Sequence, residues 1–305
     1  MIDVNPDPLP SDASPPSRLS DVALDKVWRV LNRNVGIDSL GELRNGLDEA
    51  VRRPPVTGTQ VLALGFDTNA IYRVGLNGTQ GADAVDFLGQ QHRGPLVIPG
   101  QAVQEIWNNL LSGVEPQAKR LRKKFDDLTK EMDAIDQSTG ETGEAVKGAI
   151  DELVRVHGDW IDPGAHEVFD GTLQTLLTVG DTAYVPRSEF YALARIRKET
   201  KTPPGFLDPV NNHGDFFVWA DFLYGLARAD LTDVDAAILV TNDVKSDWSR
   251  NGVAHPVLVA EAVTVAEVPF RLWTVSDFHR YVKDLQTALP NVDKGDSSGE
   301  SQTRP

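Results

Sequence analysis

The chain has 305 residues, 40% hydrophobic and 25% charged, a length that allows one or two domains and a composition that excludes a fibrous or wholly disordered protein. Forty-five acidic against thirty basic side chains leave a net charge of −15, which excludes broad adhesion to nucleic acid or anionic membrane but leaves local sites open. With no cysteine, disulfides, thiolate zinc sites, iron–sulfur clusters and cysteine nucleophiles are excluded, so any metal must sit on oxygen or imidazole.

Residues 1–17 and 291–305 are polar and read as tails. The amino terminus has no basic segment ahead of an apolar one, and no run of about 20 apolar residues occurs, so a cytoplasmic protein without a membrane partner is expected. Two helices are expected within 18–56. Ser20 or Asp21 caps a stripe of Val22, Leu24, Val27, Val30 and Leu31; Ser39 precedes Leu40, Leu43, Leu47 and Val51, and Pro54 and Pro55 stop the second helix.

At Gln60 the pattern changes. VLALGF is a continuous apolar run, the mark of a strand covered on both faces, and it ends at Asp67. LVIP at 96–99 is a second such run, followed by a helix with Val103, Ile106 and Leu110 on one face and Glu105 in its second turn. The charge-dense stretch 114–157 carries Leu121, Phe125, Leu128 and Met132 at helical spacing, breaks at 138–143, and continues with Val146, Ile150, Leu153 and Val154. This predicts a helical hairpin within an insertion over 113–183.

After Tyr184 the chain reads as a helix EFYALARIRKET, a break KTPPGFLDPVNNHG and a helix DFFVWADFLYGLARA. Then come a strand AAILVTND ending in acid, a strand FRLWTV, and a helix SDFHRYVKDL capped by Ser276. Strands alternating with helices over 57–290 predict an α/β fold, a three-layer α/β/α sandwich with a central, mainly parallel sheet.

Ligands of such sheets bind beyond the carboxyl ends of the strands. Asp67 and Asp243 each follow a buried strand, and Glu105 lies within reach of the same edge. Asp215 opens a helix after the PPG loop, and Asp247 lies four residues past Asp243. Acids pointed at one place repel one another unless cations neutralise them, and Mg²⁺ or Mn²⁺ prefers carboxylate and water oxygens. Two such ions ~3.5–4 Å apart activate water and stabilise the leaving oxygen in phosphodiester cleavage. Asp67→Asn or Asp243→Asn is accordingly expected to raise thermal stability in metal-free buffer. No zinc-type histidine spacing, nucleotide-binding glycine loop or G-x-S-x-G elbow competes with this reading.

The segments GFDTNAIY, VIPGQAVQEIWNN, PPGFLD, HGDFFVWADFL and LVTNDVKSDW, in order over 60–112 and 186–285, resemble successive motifs of PIN-like nucleases, in particular a bacterial PIN-like branch. The resemblance implies an acidic cluster that holds Mg²⁺ or Mn²⁺ and cleaves single-stranded RNA. Residue by residue it implies Asp67, Glu105, Asp215 and Asp243 as catalytic and metal-binding acids and Asp247 as a further ligand. Asn69, Arg197, Asp208, Thr241 and Lys245 fall on the substrate side, with Trp248 as packing. One departure is that Asp208 precedes PVNN, where the branch has a lysine-containing stretch.

The basic cluster Arg195, Arg197, Lys198 and Lys201 is a candidate phosphate track, whereas Lys119, Arg120, Arg122, Lys123 and Lys124 read as a solvated helix face. The sequence thus points to a metal-dependent endoribonuclease, in the role of a toxin or defence effector. A catalytically inactive PIN-like binding module and a DNA-directed defence nuclease are the alternatives. The helical arm and amino-terminal helices are candidate surfaces for a homo-oligomer or protein partner.

Overall fold

The two longest buried runs lie side by side. In the computed structural model, which describes residues 21–33, 40–41, 43–45, 60–74, 78–110, 123–132, 141–161, 166–243 and 245–288, β1 (Leu62–Phe66) pairs in parallel with β4 (Ala236–Val240), Leu64 opposite Ile238. β2 (Leu96–Pro99), β3 (Asp181–Ala183) and β7 (Phe270–Trp273) complete a parallel five-stranded sheet in the order β3-β2-β1-β4-β7. The order reverses between β1 and β4, which opens a crevice beyond their carboxyl ends.

Strand alternation sorts two cores. Leu62, Leu64 and Phe66 of β1 and Ala236, Ile238 and Val240 of β4 face one cluster. It is covered by α2 (Thr68–Val74), α3 (Gly78–Gln90), α4 (Gly100–Leu110), α6 (His166–Val179) and α10 (Val275–Ala288). Ala63, Ala237 and Leu239 face the other, under α1 (Val22–Leu31), α7 (Arg187–Glu199), α8 (Gly214–Arg228) and α9 (Pro256–Ala266). This is the expected α/β/α sandwich. A small hairpin, β5 (Ser249–Arg250) with β6 (Val253–Ala254), precedes α9.

α1 packs into the same core as α8 and α9 through Leu24, Val27, Val30 and Leu31. Asp21 caps it, its carboxylate accepting from the amides of Ala23 and Leu24. Leu40 and Leu43, expected on an apolar stripe, are exposed. Residues 123–132 and α5 (Glu141–Ile161) are helical, and α5 packs against α3, but Leu128, Val146 and Leu153 are exposed. The proposed tails 1–17 and 291–305 lie outside the described residues, as do Ser20, Ser39, Leu47, Val51, Pro54, Pro55, Lys119–Arg122 and the break at 138–140. α10 is capped by Thr274, not Ser276. The Asp277 carboxylate accepts from the Thr274 amide, and the Thr274 hydroxyl accepts from the Asp277 amide, a reciprocal arrangement that Ser276, already inside the helix, cannot make.

α8 is buried on nearly every side, because it lies between the sheet and α1 and α9. One acid on it, the fully buried Asp221, fixes its position. Its Oδ2 accepts from the Gln101 amide (2.7 Å) and Arg187 Nη2 (2.9 Å), and its Oδ1 accepts from the Val185 amide (2.8 Å) and Arg187 Nη1 (2.8 Å). The helix is thereby pinned to the ends of β2 and β3. Asp221→Ala strands two amides and a guanidinium, and should cost about 3 kcal/mol in urea unfolding at neutral pH.

Candidate active site

The acids meet where the sheet topology sends them. Asp67, one residue past β1, is buried; its Oδ1 accepts from the Ala70 amide at 2.6 Å, and its Oδ2 from the Thr241 hydroxyl. That hydroxyl accepts in turn from the Asp243 amide at 3.0 Å, so Thr241 links the acids that follow β1 and β4. Asp215, in the first turn of α8, accepts at Oδ2 from Lys245 Nζ (2.6 Å) and from the buried Trp248 indole (2.8 Å). Glu105, in the second turn of α4, accepts from the Thr68 hydroxyl at 2.6 Å and from Gln101 Nε2 at 3.0 Å. Its Oε1 comes so close to the start of α8 that a Cβ on Gly214 would lie 2.7 Å from it, and glycine there admits the carboxylate.

The centre of the group is an ammonium. Lys245 Nζ lies 2.5 Å from Asp208 Oδ1, 2.6 Å from Asp215 Oδ2 and 2.9 Å from Asp243 Oδ2. Burial alone would lower the Lys245 pKa, but these three carboxylates outweigh it and hold the ammonium above its ordinary value. Asp208, expected on the substrate side, is therefore one of the clustered acids, and its buried Oδ2 has no hydrogen-bond partner among the described residues.

Among the described residues no cation contacts Asp67. Burial raises its carboxyl to about 7, against the hydrogen bonds from Thr241 and Ala70, and repulsion from Asp215 and Asp243 adds to the rise. Burial also raises Asp215, to about 6, against the Lys245 and Trp248 hydrogen bonds and with repulsion from Asp208.

Two sequence expectations are redirected. Arg197 is not on a phosphate track. It is buried against Glu261, Nη1 to Oε1 at 2.8 Å and Nη2 to Oε2 at 3.0 Å, and it also donates to the carbonyls of Leu31 (2.9 Å) and Pro203. Of its basic neighbours, Arg195 and Lys201 are exposed, while Lys198 donates to the carbonyls of Pro209 and Asn212. Asp247 is likewise turned into the PPG loop. It is fully buried, and its Oδ2 accepts from the amides of Gly205 (2.9 Å) and Leu207 (3.2 Å), so it shapes the loop that carries Asp208 rather than joining the carboxylates around Lys245. Gly205 has φ 87°, a left-handed conformation that favours glycine. Asn69 is exposed in the first turn of α2, and Thr241 supports Asp67.

Thr68, Gln101 and Trp248 join the site as hydrogen-bond donors that the sequence reading does not place there. Thr68 follows Asp67 in the DTN segment and Gln101 stands one helical turn before Glu105, spacings that do carry that signal. Among the described residues no three acidic or histidine side chains form a ready set of metal ligands. The donors are nevertheless hard oxygens of the kind Mg²⁺ or Mn²⁺ takes, one of them is orphaned at Asp208, and three already converge on one positive charge. The donor chemistry therefore fits a hard cation, and the oxygens that show it belong to Asp208, Asp215 and Asp243.

A family model described as a PIN like domain matches residues 166–258. The match supports a PIN-like domain in this chain. It takes in Asp208, Asp215, Asp243, Lys245 and Trp248, while Asp67 and Glu105 lie before it. No curated protein and no solved structure matches the chain.

The raised Asp67 carboxyl makes stability fall with pH. Its folded pKa, about 7, lies above the ~3.9 of an unfolded chain, so between these values the folded form holds the extra proton. In metal-free buffer, stability should decline from pH 5 to pH 8, by no more than about 1.4 kcal/mol per pH unit for one proton. Asp67→Asn should flatten that slope in urea titrations at several pH values and be more stable than the parent at pH 8. Asp243→Asn should not be stabilised, contrary to the expectation from repulsion alone, because it removes a partner of Lys245.

Proposed function

We propose that the chain is a metal-dependent nuclease that hydrolyses phosphodiester bonds of single-stranded RNA. The observation that carries this reading is the gathering of Asp67, Glu105, Asp208, Asp215 and Asp243, from separate segments, at the carboxyl edge of the sheet where the strand order reverses. The match to a PIN like domain supports it, since PIN-like domains are typically nucleases.

When bound, Mg²⁺ or Mn²⁺ would supply an activated water and offset charge on the departing oxygen. The chain's own residues do the positioning. Thr241 and the Ala70 amide orient Asp67, Thr68 and Gln101 orient Glu105, and Trp248 orients Asp215. The amino end of α8, beside Glu105 and Asp215, adds a positive dipole end suited to an anion. Lys245 is the nearby ammonium that a phosphate would reach only on its release from the acids. No protein nucleophile is required.

One observation favours a second reading, a catalytically inactive binding module: Lys245 already pairs three of the acids within the chain. Labelled single-stranded RNA and DNA of one sequence, incubated with the protein in Mg²⁺, Mn²⁺ or EDTA, separates the readings. RNA should be cut with metal and not in EDTA, and Asp67→Asn or Asp243→Asn should slow cutting by about 10²-fold or more. Cleavage of DNA instead points to the defence nuclease. Cleavage of neither polymer, or unimpaired cutting by Asp67→Asn, overturns the assignment.

A further inference from the structure

Asp243 is committed to one residue through both of its oxygens. Its Oδ1 accepts from the Lys245 amide at 2.8 Å, and its Oδ2 meets the Lys245 ammonium at 2.9 Å. The same ammonium takes one oxygen each from Asp208 and Asp215. A divalent ion using these oxygens would stand in contact with atoms that already contact a positive charge, at Mg–O distances of ~2.0–2.1 Å. Two cations so close repel in a partly buried site, so occupancy of the carboxylates by one weakens occupancy by the other.

We propose that Lys245 is the site's built-in counter-ion, competing with a divalent cation for Asp208, Asp215 and Asp243, so that metal loads only as the ammonium leaves. The inference rests on the metal-dependent reading above. The exchange needs little more than rotation of one side chain. The backbone at Lys245 is anchored through Asp243 to the Thr241 hydroxyl, whereas the lysine side chain is 32% exposed and has a route to solvent. Asp208, with its unpartnered buried Oδ2, gains most from a cation able to contact more than one oxygen. The arrangement keeps a metal-free chain folded and makes its occupancy sensitive to the available metal.

Calorimetric titration of metal-free protein with Mn²⁺, without nucleic acid, tests it. Lys245→Met, which keeps an unbranched chain and removes the ammonium and its charge, should bind Mn²⁺ at least about tenfold more tightly than the parent, while Lys245→Arg should not. In the parent itself, the ¹⁵N–¹H signal of the Lys245 ammonium, protected by its three partners, should be lost or shifted at saturating Mg²⁺. Equal Mn²⁺ affinity of parent and Lys245→Met, or an ammonium signal unchanged by saturating Mg²⁺, overturns the exchange alone. If neither protein binds Mn²⁺ in calorimetry, the metal-dependent reading falls and the exchange with it.

Discussion

Mutual repulsion among carboxylates is the constraint around which this molecule is arranged. The carboxyl edge of the sheet collects acids from β1, α4, the PPG loop, α8 and the turn after β4, and the chain neutralises them in two different ways. Asp208, Asp215 and Asp243 share one ammonium. Asp67, deeper and out of contact with it, instead holds its proton more tightly, so its carboxyl rises to about 7. The low dielectric that makes each bare charge costly also strengthens each pairing, and the site is tenable only because both devices act together.

Around this centre stands a ring of uncharged donors. Thr68, Gln101, Thr241 and Trp248 each give a hydrogen bond to a specific carboxylate oxygen. Asp247 gathers the amides of the PPG loop, and Arg197 holds that loop from behind through the Pro203 carbonyl. Acids that look interchangeable in the sequence thus divide into those that face the cluster and those that build its walls. Such support is what keeps side chains within the tight tolerances that chemistry requires.

The framework was legible where the apolar signal was long. The runs at 62–66, 96–99, 236–240 and 270–273 announce buried strands, and Asp67 and Asp243 at their ends follow directly. β3 falls within the expected insertion, because Asp181–Ala183 is three residues of an edge strand with one buried side chain and no periodicity to read. Arg197 and Asp247 differ from their sequence reading for another reason. The partner of Arg197 is Glu261, sixty-four residues on, and the amides on Asp247 lie about forty residues back, so no local spacing reports either pairing. Lys245 reads from the sequence as a cation near a phosphate site; its contact with Asp243 is local, but its grip on Asp208 and Asp215, 37 and 30 residues away, depends on tertiary placement.

The buried guanidinium also ties the first helix into the fold. Arg197 reaches the carbonyl of Leu31 with one nitrogen and that of Pro203 with the other, and the hydroxyl of Tyr224 donates to Asp21 at the start of the same segment. The first helix is therefore part of the scaffold beneath the Asp208 loop, although the resemblance in sequence starts only at residue 60. Shortened versions prepared for solution work should keep Asp21. A cut placed after the helix would bare the faces of α8 and α9 that it covers and leave the backing of the Asp208 loop one anchor short.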